Sequence, residues 1–262
     1  MIDFYNLQKR LYGKISLCDG ATGTLLMERE GINVEDIHRE YIEAGADIIL
    51  TATFMKSPID ASTVKEEVKV IRSYNQECTQ REREVLIAGS IGVARQESTD
   101  TLYDRMIALL DGGCDLIWVE TIYDTESQSK ATKAIEKLGR TYGGKIPYFI
   151  SVTLSEEANK LLDGRYIADF VNSLKGDCPN PVAIGFNCGF GPYNAEAALK
   201  ELRVLTDFPI IFCPAAGMGG VRVGPDEFSE AIKNYIDAGL VDIIGGCCGT
   251  TPEHIAKLRN IL

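Results

Sequence analysis

The segment TLYDRMIALLDGGCDLIWVET (residues 101–121) decides the fold class, because it contains one complete passage from helix to strand. Its first half places apolar residues at three- and four-residue spacing, which predicts an amphipathic helix that ends at Gly112 and Gly113. The run LIWVET is almost continuously apolar, as buried parallel strands are. The same order of helix, glycine, aspartate and strand recurs at EDIHREYIEAGAD (35–47) and EFSEAIKNYIDAGLVD (227–242).

Eight apolar runs of this type predict eight buried parallel strands. They lie at residues 15–21, 46–54, 85–92, 115–121, 146–154, 181–188, 209–216 and 241–248. Their starts are roughly 30 residues apart, which is the length of one strand–helix unit. Eight such units in about 250 residues predict a (β/α)8 barrel of the TIM type, formed as a single domain over residues 1–262. The alternative, an open Rossmann-type sheet, requires a G-x-G-x-x-G motif after its first strand, and DGATGTLL (19–26) lacks that motif.

The composition excludes several classes of partner. Lys and Arg number 27 against 38 Asp and Glu, a net charge of −11, whereas phosphate binding needs clustered basic residues. No apolar run approaches the roughly 18 residues of a membrane span, and the start MIDFYNLQKRLYGK lacks a secretory core. We therefore expect a cytoplasmic protein with no nucleic-acid or membrane partner. Its eight cysteines are expected to stay reduced.

Three cysteines lie where a barrel builds its active site, at the carboxyl ends of the strands. Cys188 ends the sixth predicted strand, and Cys247 and Cys248 end the eighth between glycines. Those glycines let the backbone leave strand geometry, so that both sulfurs could face one point. Three converging thiolates describe a zinc site with an open fourth position. The residues alone leave a second interpretation open, three small buried core cysteines. A vicinal disulfide is disfavoured by its strained geometry.

The two histidines are not expected to be catalytic. His38 lies within a predicted helix, where we expect it to be solvated. His254 follows Thr251-Pro252-Glu253, a pattern typical of a helix N-cap and first turn, so we expect a structural or surface role.

Five segments resemble one family when they are taken in order. GFNCGFGP (185–192) and GGCCGTTPEHI (245–255) resemble the paired zinc signature of the homocysteine S-methyltransferase family. DGATGT (19–24), GADIILTATF (45–54) and GCDLIWVETIYDT (113–125) resemble three further family segments. The resemblance runs from about residue 15 to the C-terminus and is strongest to the homocysteine-binding module of cobalamin-dependent methionine synthase.

For the metal, the resemblance implies one Zn²⁺ per chain, held by Cys188, Cys247 and Cys248. A small-molecule thiol, homocysteine in this family, would become the fourth ligand and lose its proton, because only the thiolate is a good nucleophile.

For the substrate, the resemblance implies that Asp19 and Glu120 fix the amino group. Backbone N–H groups around Gly20 and Ala21 would receive the carboxylate. Asn187 would either orient the substrate or satisfy a buried backbone group.

The methyl donor is left open by the residues. The resemblance favours methylcobalamin on a corrinoid partner protein, or on further methionine synthase modules, with methionine as product. A small donor (S-methylmethionine, S-adenosylmethionine or betaine) and a non-catalytic zinc- or thiol-binding subunit are the alternatives. Ala52 and Ala215 replace two family asparagines. This departure predicts a more open site, and an acceptor other than homocysteine becomes a further alternative.

Overall fold

Eight parallel strands form the barrel that the sequence predicts. The computed structural model describes residues 3–78, 84–155, 160–174, 180–189, 191–217 and 221–262. The strands are β1 (Ser16–Leu17), β2 (Ile48–Leu50), β3 (Leu86–Ile91), β4 (Leu116–Ile122), β5 (Tyr148–Val152), β6 (Ala183–Cys188), β7 (Ile210–Pro214) and β8 (Ile243–Ile244). They pair in the order β1-β8-β7-β6-β5-β4-β3-β2. A single parallel bridge from Cys18 to Ile48 joins the two outer strands, so the barrel is nearly closed.

Ten helices in the described ranges surround and cap the barrel. They are α1 (Phe4–Leu11), α2 (Thr22–Glu28), α3 (Val34–Glu43), α4 (Ala61–Cys78), α5 (Thr99–Asp111), α6 (Thr125–Tyr142), α7 (Ile167–Ser173), α8 (Glu196–Leu205), α9 (Pro225–Asp237) and α10 (Pro252–Asn260). The sequence interpretation did not include α1, whose Phe4, Leu7 and Leu11 pack into the barrel interior beside Leu86 and Ile243. These two residues start strands, so α1 covers the end opposite the predicted active site. None of the helices in these ranges is long and apolar enough to cross a membrane.

A recurring motif, in which a helix is followed by glycine, aspartate and a strand, sets the register between neighbouring strands. Its glycine has a positive φ in each copy, which glycine adopts without a steric penalty: 102° at Gly45, 98° at Gly113 and 66° at Gly239. Its aspartate accepts the N–H of a residue in the preceding strand: Asp47 from Leu17, Asp115 from Ile87 and Asp242 from Ile210. Each aspartate also forms an ion pair with an arginine: Arg259, Arg72 and Arg203, respectively. Each aspartate, which lies between a helix and the strand that follows it, thereby bonds to the neighbouring strand.

Arg105 of α5 is a buried cation that joins two loops at the rim of the barrel. Its side chain is 3% exposed, lies 2.8 Å from Glu97, and donates to the carbonyl oxygens of Gly92 and Phe54. Because Arg105→Ala leaves the Glu97 carboxylate buried without its cation, we expect a loss of about 3–5 kcal/mol in the free energy of unfolding, measured in urea. Arg140→Ala removes a 69% exposed arginine and is expected to cost less than about 1 kcal/mol. Equal losses of unfolding free energy in the two variants would show that the buried pair of Arg105 and Glu97 does not stabilise the fold.

Candidate active site

Three cysteine sulfurs converge at the carboxyl end of the barrel. Cys188 ends β6 with a φ of 60°. Strand β8 stops at Ile244, so that Cys247 and Cys248 lie beyond two glycines in a turn rather than on a strand. The three sulfurs all lie within 4.8 Å of one another. The glycines therefore permit the departure from strand geometry that convergence requires.

The spacing of these sulfurs fits a tetrahedral zinc ion. Zinc–sulfur bonds of about 2.3 Å place two tetrahedral ligands about 3.8 Å apart, and Cys188 Sγ lies 3.8 Å from Cys248 Sγ. Hydrogen bonds from Cys188 and then Cys247 lower the pKa of the Cys248 thiol well below its usual value. The cluster is half-buried and faces a cavity of about 470 Å³, which leaves a fourth position open. No other group of three such ligands occurs in the described part of the chain.

Asp19 follows β1 and lies in the same cavity, only 1% exposed. The Leu50 N–H donates to its Oδ2 at 2.9 Å, and the Cys18 thiol donates to its Oδ1 at 3.2 Å. Burial raises the pKa of Asp19 to about 8. Cys18 therefore helps to orient this carboxylate.

Glu120 lies on β4, where a register shift between Val119 and Ile122 turns its side chain into the cavity. Burial raises its pKa to about 7, and a hydrogen bond from the Ser90 hydroxyl opposes that rise. A second hydrogen bond reaches Glu120 Oε2 from Asn187 Nδ2 at 3.2 Å.

The Asn187 side chain supports this carboxylate rather than offering free polar atoms to the cavity. Besides Glu120, its Nδ2 donates to Thr121 Oγ1 at 2.8 Å. Its Oδ1 accepts from the Thr121 N–H and from the Ser151 hydroxyl, both at 2.8 Å. Thr121 has a φ of 57°, which is uncommon for a β-branched residue, and the two Asn187 bonds hold it there. Of the two roles expected for Asn187, the geometry favours the satisfaction of buried groups.

The raised carboxyl pKa values predict a pH-dependent stability. Unfolded carboxyls titrate at about pH 4, whereas Asp19 titrates at about 8 and Glu120 at about 7 in the fold. Between these limits the folded protein binds more protons than the unfolded chain, so its stability falls as the pH rises. We expect Asp19→Asn, which carries no charge there, to gain stability relative to the parent as the pH rises from about 5 to 8. Urea unfolding at each pH measures this difference, and a constant difference would contradict the assignment.

The cavity contains further residues that the sequence interpretation missed. Ser90 and Trp118 line it together with Lys56, which is the only cationic side chain among the described lining residues. The sequence could have indicated Ser90, because it is the polar residue of an apolar run. It could also have indicated Lys56, because it directly follows the TATFM stretch. Four exposed apolar side chains also line the cavity: Leu26, Met27, Phe54 and Met55.

Of the backbone N–H groups that are predicted to bind the acceptor carboxylate, one already forms a hydrogen bond within the protein. Gly20 and Ala21 both line the cavity, as expected. The Ala21 N–H, however, donates to Thr250 Oγ1 at 3.1 Å. A carboxylate bound by Ala21 would have to replace this internal bond.

The structure agrees with the expectation for one histidine and contradicts the expectation for the other. His254 is structural, as expected, since it is 4% exposed and its Nε2 lies 3.0 Å from the Val223 carbonyl oxygen. The expected solvation of His38 is wrong. His38 is fully buried between α3 and α4, and its Nε2 lies 2.8 Å from Glu67 Oε1. The same Glu67 oxygen accepts the Ala52 N–H at 2.7 Å, so this pair fixes the loop after β2.

Comparison with known proteins agrees with the site. The sequence model for homocysteine S-methyltransferase matches residues 16–262. The apo homocysteine methyltransferase MmuM from Escherichia coli is similar at 27% identity, with a TM-score of 0.71 over 96% of this chain and 97% of that one. Its metallated form gives 25% identity and a TM-score of 0.72 over 95% and 96% of the two chains.

A more remote similarity concerns the fold alone. The Pyrococcus horikoshii ribulose-1,5-bisphosphate carboxylase/oxygenase is 11% identical, with a TM-score of 0.57 over 99% of this chain and 62% of that one. The family match covers nearly the whole chain and includes every segment that builds the cavity. This chain is therefore a methyltransferase that belongs to the homocysteine S-methyltransferase family.

Proposed function

We propose that the protein methylates the sulfur of homocysteine to give methionine, with one zinc ion held by Cys188, Cys247 and Cys248. One observation carries this proposal: three thiols and two carboxylates, one buried and one half-buried, open into the same cavity. Zinc bound there would act as a Lewis acid that lowers the pKa of the acceptor thiol. The metallated form of MmuM supports this metal chemistry by similarity.

The two carboxylates select an acceptor that carries an amino group. Asp19 is buried and Glu120 is half-buried, and none of the salt bridges formed by described residues involves either one. Buried charges are costly unless they are paired, so a ligand ammonium group between them would be strongly stabilising. We place the acceptor amino group there and its carboxylate at Gly20 and Ala21. Lys56 provides a positive charge in the cavity for that carboxylate.

We infer that Ala52, which stands where the resemblance places a family asparagine, leaves more room on the acceptor side of the cavity. Ala52 lines the cavity directly, whereas Ala215 is 4% exposed and is not among the lining residues. A thiol bulkier than homocysteine is therefore the alternative acceptor to include in a screen. Parent activity with homocysteine that exceeds activity with bulkier amino thiols would eliminate it.

The rim of the cavity favours methylcobalamin on a corrinoid partner protein as the donor. A sulfonium or quaternary ammonium donor requires aromatic faces or carboxylates near its charge. The rim instead offers Leu26, Met27 and Met55, one aromatic ring at Phe54, and a repelling cation at Lys56. An apolar rim of this kind is suited to the broad, largely apolar face of a corrinoid.

A donor screen tests this assignment. We expect zinc-loaded protein to convert homocysteine to methionine with methylcobalamin, and to show no turnover with S-methylmethionine, S-adenosylmethionine or betaine. The reverse pattern would contradict the corrinoid proposal while leaving thiol methylation in place. Binding of zinc and homocysteine without turnover from any donor would instead support the non-catalytic subunit.

A further inference from the structure

Two threonines cross-link the segment that follows β1 to the turn that follows β8. Thr24 of α2 accepts a hydrogen bond from the Gly249 N–H at 3.3 Å. In the opposite direction, Thr250 accepts one from the Ala21 N–H at 3.1 Å. Each segment thus contributes a hydroxyl that binds the backbone of the other, although the partners are more than 220 residues apart in sequence.

The two linked segments carry the two halves of the proposed site. The first segment contains Asp19, and the second contains Cys247 and Cys248. Thr250 reaches both halves, because its hydroxyl accepts from the first segment and donates to the Cys247 carbonyl oxygen at 2.7 Å. A third bond runs from the Gly246 N–H to the Asp19 carbonyl oxygen at 3.1 Å.

The packing leaves these segments little freedom to move separately. Thr250 is fully buried and Thr24 is 6% exposed. A Cβ atom at Gly20 would lie 2.6 Å from Thr250 Oγ1, so the Thr250 side chain packs against the backbone of Gly20 more closely than any larger residue would allow. On its other side the turn is held by the Ala216 N–H, which donates to the Cys248 carbonyl oxygen at 2.8 Å.

We propose that Thr24 and Thr250 are positioning residues that make metal binding at the cysteine turn and acceptor binding at Asp19 mutually dependent. The inference rests on the proposed function, which places the metal and the acceptor at these two segments. Neither hydroxyl needs to contact the acceptor. Because coupling between two binding sites is reciprocal, metal loading tightens acceptor binding by the same factor by which the acceptor tightens metal binding.

Zinc affinity gives the first readout. Thr24→Val and Thr250→Val keep the shape of the side chain but leave buried backbone groups without partners. We expect each to lower zinc affinity by about 10- to 100-fold in competition with a chelator, the usual cost of removing a group that orients a metal ligand. Thr24→Ser and Thr250→Ser retain the hydroxyl and should bind zinc like the parent. If Thr250→Val does not fold, Thr24, which lines the cavity, carries the test.

The second readout isolates the coupling itself. The probe is L-2-aminobutanoate, which has the amino acid end of homocysteine but no sulfur and therefore cannot bind the metal. Trp118, the only tryptophan of the chain, lines the cavity and reports probe binding by its fluorescence. We expect zinc loading to tighten probe binding several-fold in the parent and in both serine variants, and not in the valine variants.

The matched control is Thr153→Val. Thr153 is 4% exposed, and its hydroxyl has no hydrogen-bond partner in the described structure. Zinc affinity and probe coupling should therefore match those of the parent. The proposal is overturned if the Thr24 and Thr250 valine variants bind zinc within about twofold of the parent, or if they lose no more zinc affinity than the Thr153→Val control does. It is also overturned if zinc loading still tightens probe binding in the valine variants. Parent protein that binds zinc but never methylates homocysteine would refute the proposed function alone, because both readouts here measure binding. A parent that binds no zinc would overturn both.

Discussion

Replacing Cys248 by alanine is expected to abolish zinc retention and to lower homocysteine methylation by at least about 10³-fold, since a catalytic metal contributes several kcal/mol to the barrier. Its sulfur lies 3.8 Å from that of Cys188, and hydrogen bonds from the other two thiols hold its pKa low. Two thiolates cannot complete a three-sulfur zinc site, so the variant should lose its activity because it loses the metal. Metal analysis of purified protein and a methionine assay measure the two effects.

The control for this prediction is Cys114→Ala. Cys114 is fully buried in the core outside the cavity, and burial raises the pKa of its thiol. This variant should retain about one zinc per chain and most of the activity. Equal zinc contents in Cys248→Ala and the parent would remove the thiolate site from the account.

Glu120→Gln is expected to lower kcat/KM for homocysteine by about 30- to 3000-fold, because losing one partner of a buried charge pair costs about 2–5 kcal/mol. The glutamine keeps the shape of the side chain; its Oε1 can accept from Asn187 and its Nε2 can donate to the Ser90 hydroxyl, so the main change is the lost negative charge. The matched comparison uses 4-mercaptobutanoate, which is homocysteine without the amino group. With this acceptor the variant should differ little from the parent. An equal loss with both acceptors would show that Glu120 does not bind the amino group.

Much of the barrel could be predicted because its strands are short apolar runs separated by glycine-terminated helices. Seven of the strands lie within the predicted runs and β4 extends one residue beyond its run, but β1 and β8 are only two residues long. The apolar pattern overestimates their lengths because side-chain polarity does not show where the ladder of hydrogen bonds stops. At Cys247 and Cys248 the preceding glycines end the strand early, which brings the sulfurs together.

The supporting contacts of the site could not be predicted in the same way. The bonds from Asn187 to Glu120 and from Ala21 to Thr250 join residues distant in sequence, and no local pattern encodes them. His38 shows the opposite case. It lies among Ile37, Tyr41 and Ile42 on the buried stripe of α3, so helical periodicity contained the signal that the solvation prediction overlooked.

The central claim is that the acceptor thiol loses its proton on binding at the three-cysteine centre, and proton release tests it most directly. Homocysteine is added at pH 7 to zinc-loaded protein in weak buffer with a pH indicator, while Trp118 fluorescence records binding. Both ligands are expected to displace protons from Asp19 and Glu120, whose pKa values are raised to about 8 and about 7, but only homocysteine brings a thiol. The account therefore predicts about one more proton released per bound homocysteine than per bound L-2-aminobutanoate. Saturable homocysteine binding that releases no more protons than L-2-aminobutanoate would contradict it.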